Sequence, residues 1–189
     1  SPRLILLDEP FSALDANMRS TMRDEVTAII RKTESTAIIV THDQEEAMSI
    51  SDKVVVLLNG TVAQFGSPQE IYENPRSAHV ARFIGDANLL SAIVDKGRAF
   101  HAIGSSPCSS SLQRVIALVR PEHIRLAHDP QHGHAGVVES RSYFGHDGTL
   151  GIRLATGEIV TARLPISDLA DIGSTVFVAS IETATILEN

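Results

Sequence analysis

The chain has 189 residues, with 16 Lys and Arg against 23 Asp and Glu, a formal net charge of −7 and 43% hydrophobic residues. This composition is typical of a folded globular protein and argues against a largely disordered chain. Nucleic acids and anionic membranes select clustered Lys and Arg, so we expect no nucleic-acid partner. The single cysteine, Cys108, excludes an intrachain disulfide and a cysteine-rich zinc site.

The first half of the chain alternates short apolar runs with helical patterns, which is typical of βαβ units in a parallel sheet. The predicted elements are a strand over residues 4–7, an amphipathic helix over 17–32, a strand over 36–41, a helix over 44–50, a hairpin of 54–58 with 61–65, and helices beginning after Ser67 and over 78–84. Asn59 and Gly60 indicate a tight primed turn in that hairpin.

After Gly85 the pattern changes to short β-rich runs between turn signals, which suggests a small barrel or sandwich. The predicted strands cover residues 90–94, 115–119, 124–127, 136–143, 149–154, 159–164 and 176–180. Residues 104–111 and 128–134 are predicted loops, which makes Cys108 an exposed thiol and His128, His132 and His134 exposed loop residues rather than a metal site. We expect two domains, residues 1–86 and 87–189.

Two adjacent carboxylates, Asp8 and Glu9, follow the first apolar strand. Ligands of open α/β sheets collect at the carboxyl ends of strands. There Asp8 suits Mg²⁺, which takes one or two carboxylates together with phosphate oxygens, and Glu9 suits a general base that polarises water. Taken alone, a polar turn after a strand is the more common explanation.

Asp15 and His42 add to this pattern. Asp15 directly precedes the first helix, where it has a structural explanation as the helix cap. His42 follows the second strand and so lies on the same sheet edge as Glu9. A lone histidine there is more often structural, but the carboxylate pair, the helix and the histidine together favour a functional site.

These residues resemble parts of ABC transporter ATPase subunits. LILLDEPFSALD (residues 4–15) resembles their Walker B strand and D-loop, and VTHDQEEA (residues 40–47) resembles their switch-histidine loop. VRPEHIRL (residues 119–126) and YFGH (residues 143–146) resemble the C-terminal regulatory TOBE domain of importers for sugars, polyamines, iron(III) and molybdate. The resemblance covers essentially the whole chain.

The resemblance implies an α/β fold: the C-terminal part of a P-loop NTPase parallel-sheet domain, followed by a small all-β, barrel-like TOBE domain of OB type. It implies nucleotide contacts for Asp8, Asp15 and His42, with Asp8 on Mg²⁺ and His42 at the γ-phosphate of ATP. Glu9 would be the catalytic base, and Asp15 would lie at the interface of an ATP-bound homodimer.

For the whole subunit, the resemblance implies an ATPase on the cytoplasmic face of the inner membrane. It would work with transmembrane permease subunits and, indirectly, with a substrate-binding protein that delivers iron(III), a polyamine or a similar small solute. The alternative, from a different class, is a standalone regulatory, small-ligand-binding or dimerisation module based on the TOBE domain.

The chain contains no G-x-x-x-x-G-K-[ST] phosphate loop and no Leu-Ser-Gly-Gly signature. In the family these precede the Walker B strand, so we expect the chain to be a C-terminal portion that does not hydrolyse ATP by itself. We also expect its first half to self-associate or to be partly disordered, because parallel strands with two apolar faces need cover on both sides.

Overall fold

A computed structural model describes residues 4–127 and 129–188. The chain divides into two compact units, Ser1–Tyr72 and Glu73–Asn189. Within the described ranges, none of the helices combines the length and the apolar character needed to cross a bilayer.

The first unit opens with a strand, a helix and a second strand. The elements are β1 (Leu4–Asp8), α1 (Ala16–Lys32), β2 (Thr36–Val40) and α2 (Gln44–Ile50). β1 and β2 pair in parallel, with Asp8 opposite Val40, so both strands end at the same edge. The predicted helices and strands of this segment are therefore confirmed, and the two strands form a parallel pair; a larger parallel sheet stays a prediction.

A hairpin and a short helix complete the first unit. β3 (Val54–Leu58) and β4 (Thr61–Gly66) pair in an antiparallel manner. Asn59 and Gly60 between them have φ values of 51° and 75°, which confirms the predicted primed turn. α3 (Pro68–Glu73) follows, and its Glu70 N–H donates to Ser67 Oγ at 3.2 Å, so Ser67 caps the helix that the sequence predicts after it.

The second unit begins with α4 (Ala78–Ile84) and continues as an all-β structure. Its strands are β5 (Asn88–Asp95), β6 (Arg98–His101), β7 (Gly104–Pro107), β8 (Arg114–Val119), β9 (Ile124–Ala127), β10 (His134–Tyr143), β11 (Asp147–Leu154), β12 (Ile159–Pro165), β13 (Thr175–Ser180) and β14 (Thr185–Leu187). They form two five-stranded sheets, ordered β12-β11-β10-β13-β9 and β14-β8-β5-β6-β7. β12 and β9, the outer strands of the first sheet, also approach each other, so this sheet curls toward a barrel.

Side chains from both sheets form one apolar core, which includes Leu90, Ile124 and Ile152. A polar contact also joins the sheets. The side-chain amide of Asn88 donates to the Thr161 carbonyl at 2.8 Å, and its oxygen accepts from the Thr161 N–H at 2.7 Å. This buried amide therefore satisfies backbone groups of β12 as a neighbouring strand would.

The prediction of a flexible loop over residues 104–111 is wrong at its start, where β7 pairs with β6. One of the serines that suggested a loop has a structural role inside the fold. Ser106 is buried, and its hydroxyl accepts from the Ala184 N–H at 2.9 Å. The prediction of an exposed Cys108 is also wrong, since that side chain is 8% exposed and belongs to the apolar core.

The histidine-containing loop is shorter than predicted. A single 3₁₀ turn covers Pro130–His132, and His134 already begins β10. His128 lies outside the described residues. In the described part of the chain, no group of three or more His, Cys, Asp or Glu side chains is arranged to hold a metal ion.

The two units divide before α4, whereas the sequence places the domain boundary after it, between residues 86 and 87. One residue that joins α4 to the second unit is Arg120, a buried arginine directly after β8. Its Nη1 donates to the carbonyls of Ala81, Gly85 and Asp86 at 3.1, 3.4 and 3.0 Å, so the end of α4 is bonded to the β-structure. The two-domain assignment itself stays a prediction.

We expect Arg120→Met to lower the free energy of unfolding by about 3 kcal/mol, because it removes charged hydrogen bonds and leaves carbonyls without their donor. Arg125→Met is the matched control, since Arg125 also donates to carbonyls but only to nearby ones, of Glu122 and Ile124. Urea unfolding of the two variants measures the difference. If both variants lose the same free energy of unfolding, the hydrogen bonds from Arg120 to α4 contribute no more than local ones.

Candidate functional site

Glu9 and His42 meet at the edge where β1 and β2 end. The Glu9 N–H donates to the Val40 carbonyl at 2.8 Å, which extends the parallel ladder by one residue beyond β1. Glu9 Oε1 then lies 3.0 Å from His42 Nδ1. The structure therefore brings together the carboxylate and the imidazole that the sequence places on one sheet edge.

Glu9 has an unusual backbone conformation, with a φ of 45°. A non-glycine residue in this left-handed region is strained by roughly 1–2 kcal/mol. Such strain persists where surrounding bonds fix it, and here the Glu9 N–H and carbonyl are both hydrogen-bonded, the carbonyl accepting from Ser12 Oγ at 3.0 Å. The turn directs the chain out of the sheet while the side chain stays beside His42.

We expect Glu9→Gly to be more stable than Glu9→Ala by about 1 kcal/mol, because only glycine adopts this conformation without strain. Glu34 is an internal control, since it too has a positive φ, of 50°. There too, we expect Glu34→Gly to be more stable than Glu34→Ala. Denaturant unfolding of the four variants tests this, and a more stable Glu9→Ala would contradict a strained turn.

The Glu9–His42 pair borders a small polar cavity in the first unit. Its lining residues are Glu9, Phe11, Ser12, Arg19, Thr41, His42, Asp43 and Glu46. Phe11 is buried and supplies the apolar part of the wall. The remaining lining groups are hydroxyls and charges, so the cavity suits polar rather than apolar contents.

Asp43 anchors the loop that carries His42. Its Oδ1 accepts from the Glu46 N–H at 3.0 Å and caps α2, and its own N–H donates to Thr41 Oγ1 at 3.0 Å. The Glu46 hydrogen bond, and to a lesser extent Arg19, hold the pKa of the Asp43 carboxyl below its usual value although partial burial opposes this. The residues on both sides of His42 are thus fixed by hydrogen bonds.

Glu46 belongs to the acidic run of residues 43–46 at the start of α2, where acidic side chains are ordinarily solvated and favour a helix N-terminus. The structure buries Glu46 to 3% exposure, where its Oε2 accepts from Thr41 Oγ1 at 2.9 Å. Asp43 alone acts as the cap. A glutamate three positions after an N-cap is the spacing of a capping box, in which that glutamate bonds back toward the cap; here Glu46 bonds Thr41, two residues before the cap.

Asp8 and Asp15 do not line this cavity. Asp8 is exposed at the end of β1. Asp15 is the N-cap of α1, its Oδ1 accepting from the Met18 N–H at 2.9 Å, so the structural explanation for Asp15 is confirmed. A role for Asp15 at a subunit interface stays a prediction.

Asp8 fits Mg²⁺ in one respect. Mg²⁺ is commonly held by one or two carboxylates together with phosphate oxygens and water, and an exposed carboxylate at a strand end provides one such ligand. The described residues offer no further cluster of acidic and histidine ligands around it. Asp8 therefore suits an ion that arrives with a phosphate and does not form a closed metal cage.

The second unit is identified by comparison with known families. A family model of the TOBE domain matches residues 117–184. Over 178 residues, the chain is 42% identical to the spermidine/putrescine import ATP-binding protein PotA of Pseudomonas fluorescens, which covers 88% of this chain and 48% of the relative. Over 159 residues it is 46% identical to the Fe(3+) ions import ATP-binding protein FbpC 3 of Rhodococcus jostii, covering 83% of this chain and 46% of the relative.

The chain is a relative of ABC importer ATP-binding subunits and carries a TOBE domain. The resemblance on which the sequence interpretation depends is thereby confirmed. The chain spans about half the length of the curated relatives it matches.

The TOBE match begins within β8 and ends just before β14, so it lies entirely in the second unit. The barrel-like β-domain of the predicted fold is therefore confirmed. Among solved structures, the cytoplasmic molybdate-binding protein ModG resembles 52% of this chain at 14% identity with a TM-score of 0.43. Glu9 and His42 lie outside the TOBE match.

Proposed function

We propose that this chain provides the hydrolytic residues of the ATP site in an ABC importer ATP-binding subunit. The observation that carries the proposal is the 3.0 Å contact between Glu9 Oε1 and His42 Nδ1 at the carboxyl edge of a parallel strand pair. The import ATP-binding proteins that the chain resembles support it. The solute is iron(III), a polyamine or a similar small molecule, as the names of those relatives suggest.

The two side chains divide the work of hydrolysis between them. Glu9 carries the carboxylate that orients the attacking water and accepts its proton. His42 faces Glu9 through Nδ1, which leaves Nε2 for an oxygen of the γ-phosphate. An imidazolium donates from both nitrogens, so it stabilises charge on the phosphate while it stays aligned with the base.

Asp8 and Asp15 complete the proposed site. Asp8 would hold Mg²⁺, which when bound neutralises charge on the transferred phosphoryl group. Asp15, fixed at the start of α1, would face the second subunit and communicate between the two nucleotide sites. The phosphate cradle, which this chain does not contain, would come from the part of the relatives that the chain does not match.

The exposure of the site leaves this edge open to the unmatched part of the relatives and to a second subunit. The His42 and Glu9 side chains are 75% and 47% exposed, which is too open for a base that must act on one bound water. A second subunit closing over this edge would exclude solvent. From the likeness to import ATP-binding proteins, we propose a homodimer on the cytoplasmic face of the inner membrane, bound to permease subunits and served by a substrate-binding protein.

A chimeric subunit tests the proposal. This chain replaces the matching part of the Pseudomonas fluorescens import ATP-binding protein, which is expressed with its own permease subunits. We expect the chimera to hydrolyse ATP and the 189-residue chain alone to show no hydrolysis above background. A chimera that assembles and binds ATP without turning it over would overturn the proposal.

A second candidate is a regulatory or ligand-binding module based on the TOBE domain. It is favoured by one observation, that the second unit has its own core and contains the whole TOBE match. Under this alternative, replacing both Glu9 and His42 would leave the function of the chain intact. The folded but inactive chimera described above would favour it.

A further inference from the structure

The side chain of Arg19 joins two loops that carry proposed site residues. Arg19 lies in the first turn of α1. Its Nη2 donates to the Leu14 carbonyl at 3.2 Å, directly before Asp15, and its Nη1 donates to Asp43 Oδ2 at 3.2 Å, directly after His42. One guanidinium is therefore bonded to both segments at once.

We propose that Arg19 is a positioning residue that fixes the His42 loop relative to the turn before Asp15, so that a displacement of either one is passed to the other. This inference rests on the proposed function of the site. Arg19 itself acts through its two neighbours and not on the nucleotide.

The chemistry of the side chain suits this role. A guanidinium is planar and presents several N–H donors in a fixed fork, so two acceptors bound to it keep a fixed separation. A lysine ammonium at the same position is a flexible point charge that does not impose such a geometry. The Arg19 side chain is 34% exposed and that of Asp43 24%, so solvent screens their ion pair. The pair therefore contributes little to the free energy of unfolding, and its main effect is to fix the relative positions of the two side chains.

A shift of Arg19 reaches His42 only if the loop of residues 41–43 is rigid. Asp43 is held by Arg19, by the Glu46 N–H and by the Thr41 hydroxyl. Thr41 in turn donates to the buried Glu46. Because His42 lies between Thr41 and Asp43, a shift of Asp43 moves the imidazole with respect to Glu9.

Turnover of the chimeric subunit tests the coupling. We expect Arg19→Met to lower kcat by roughly 10- to 100-fold through misalignment of the base and histidine, with little change in the KM for ATP. Arg19→Lys is expected to restore only part of kcat, because it keeps the charge and loses the fork. If Arg19→Met does not fold, Arg19→Lys against the unsubstituted chimera gives the same comparison.

Arg23→Met is the matched control. Arg23 lies one turn further along α1 and contacts Glu45 of α2 at 3.8 Å, but the described bonds do not connect it to Leu14 or Asp43. Its loss should leave kcat within about twofold. An equal loss of kcat in both arginine variants would show a general effect of weakening the α1–α2 contact and would overturn the proposal.

A second measurement does not depend on ATP turnover. In the 189-residue chain, kept monomeric by Leu6→Lys and Ile38→Lys on the exposed apolar face of β1 and β2, the ring signals of His42 are assigned by NMR through their absence in His42→Ala. Arg19→Met should shift them, and Arg23→Met should not. Unchanged His42 signals would overturn the coupling, whereas full turnover in Glu9→Gln and His42→Ala chimeras would overturn the proposed function instead.

Discussion

Replacement of Glu9 by glutamine is expected to lower ATP turnover of the chimeric subunit by roughly 10²–10⁴-fold, the contribution typical of a positioned general base. Glutamine preserves the size of the side chain and the hydrogen bond to His42, but it does not accept the proton of the attacking water. ATP binding should therefore be retained. Steady-state turnover and equilibrium binding of ATP, measured on the same preparation, separate the two effects.

His42→Ala should lower turnover to a similar extent, because it removes both the contact with Glu9 and the donor for the γ-phosphate. Glu34→Gln is the matched control for the glutamate variant. Glu34 shares the positive φ of Glu9 but follows α1, away from the edge where β1 and β2 end. Turnover unchanged in Glu9→Gln, or lowered equally in Glu34→Gln, would refute the assignment of the base.

The sequence predicts that Glu9 and His42 share one sheet edge, because that placement depends on topology. Two apolar strands joined by a helix form a parallel pair, and residues following each strand must then emerge on one edge. The structure adds a 3.0 Å distance to that expectation. Local patterns likewise suffice for the Asn59-Gly60 turn, since each residue there has the conformation that its own chemistry favours.

The polar connections behind the site are not predictable in this way. Arg19 and Glu46 look like ordinary solvated charges on helices, and only tertiary placement shows one of them bonded to two loops and the other buried. Ser106 and Asn88 give the same lesson in the second unit, where both polar side chains form hydrogen bonds with backbone groups inside the fold. Hydrogen bonds between residues distant in sequence leave no periodic signal.

The exposed apolar face of the β1–β2 pair leads to the last prediction. Side chains alternate along each strand, and the register places Leu6 opposite Ile38. The outward residues Leu4, Leu6, Ile38 and Val40 are each at least 50% exposed. An apolar patch of this kind on a two-stranded sheet favours association with another copy.

We therefore expect the 189-residue chain to self-associate at micromolar concentration, and Leu6→Lys combined with Ile38→Lys to shift it toward a 20.3 kDa monomer. Ile172→Lys is the matched control, because that side chain is equally exposed but lies in the second unit. Light scattering during size-exclusion chromatography gives the mass, and hydrogen exchange reports on the amides of residues 5–7 and 38–40. A chain that is monomeric at every concentration, with those amides strongly protected, would contradict the prediction, because the strands would then be stable with this apolar face left in water.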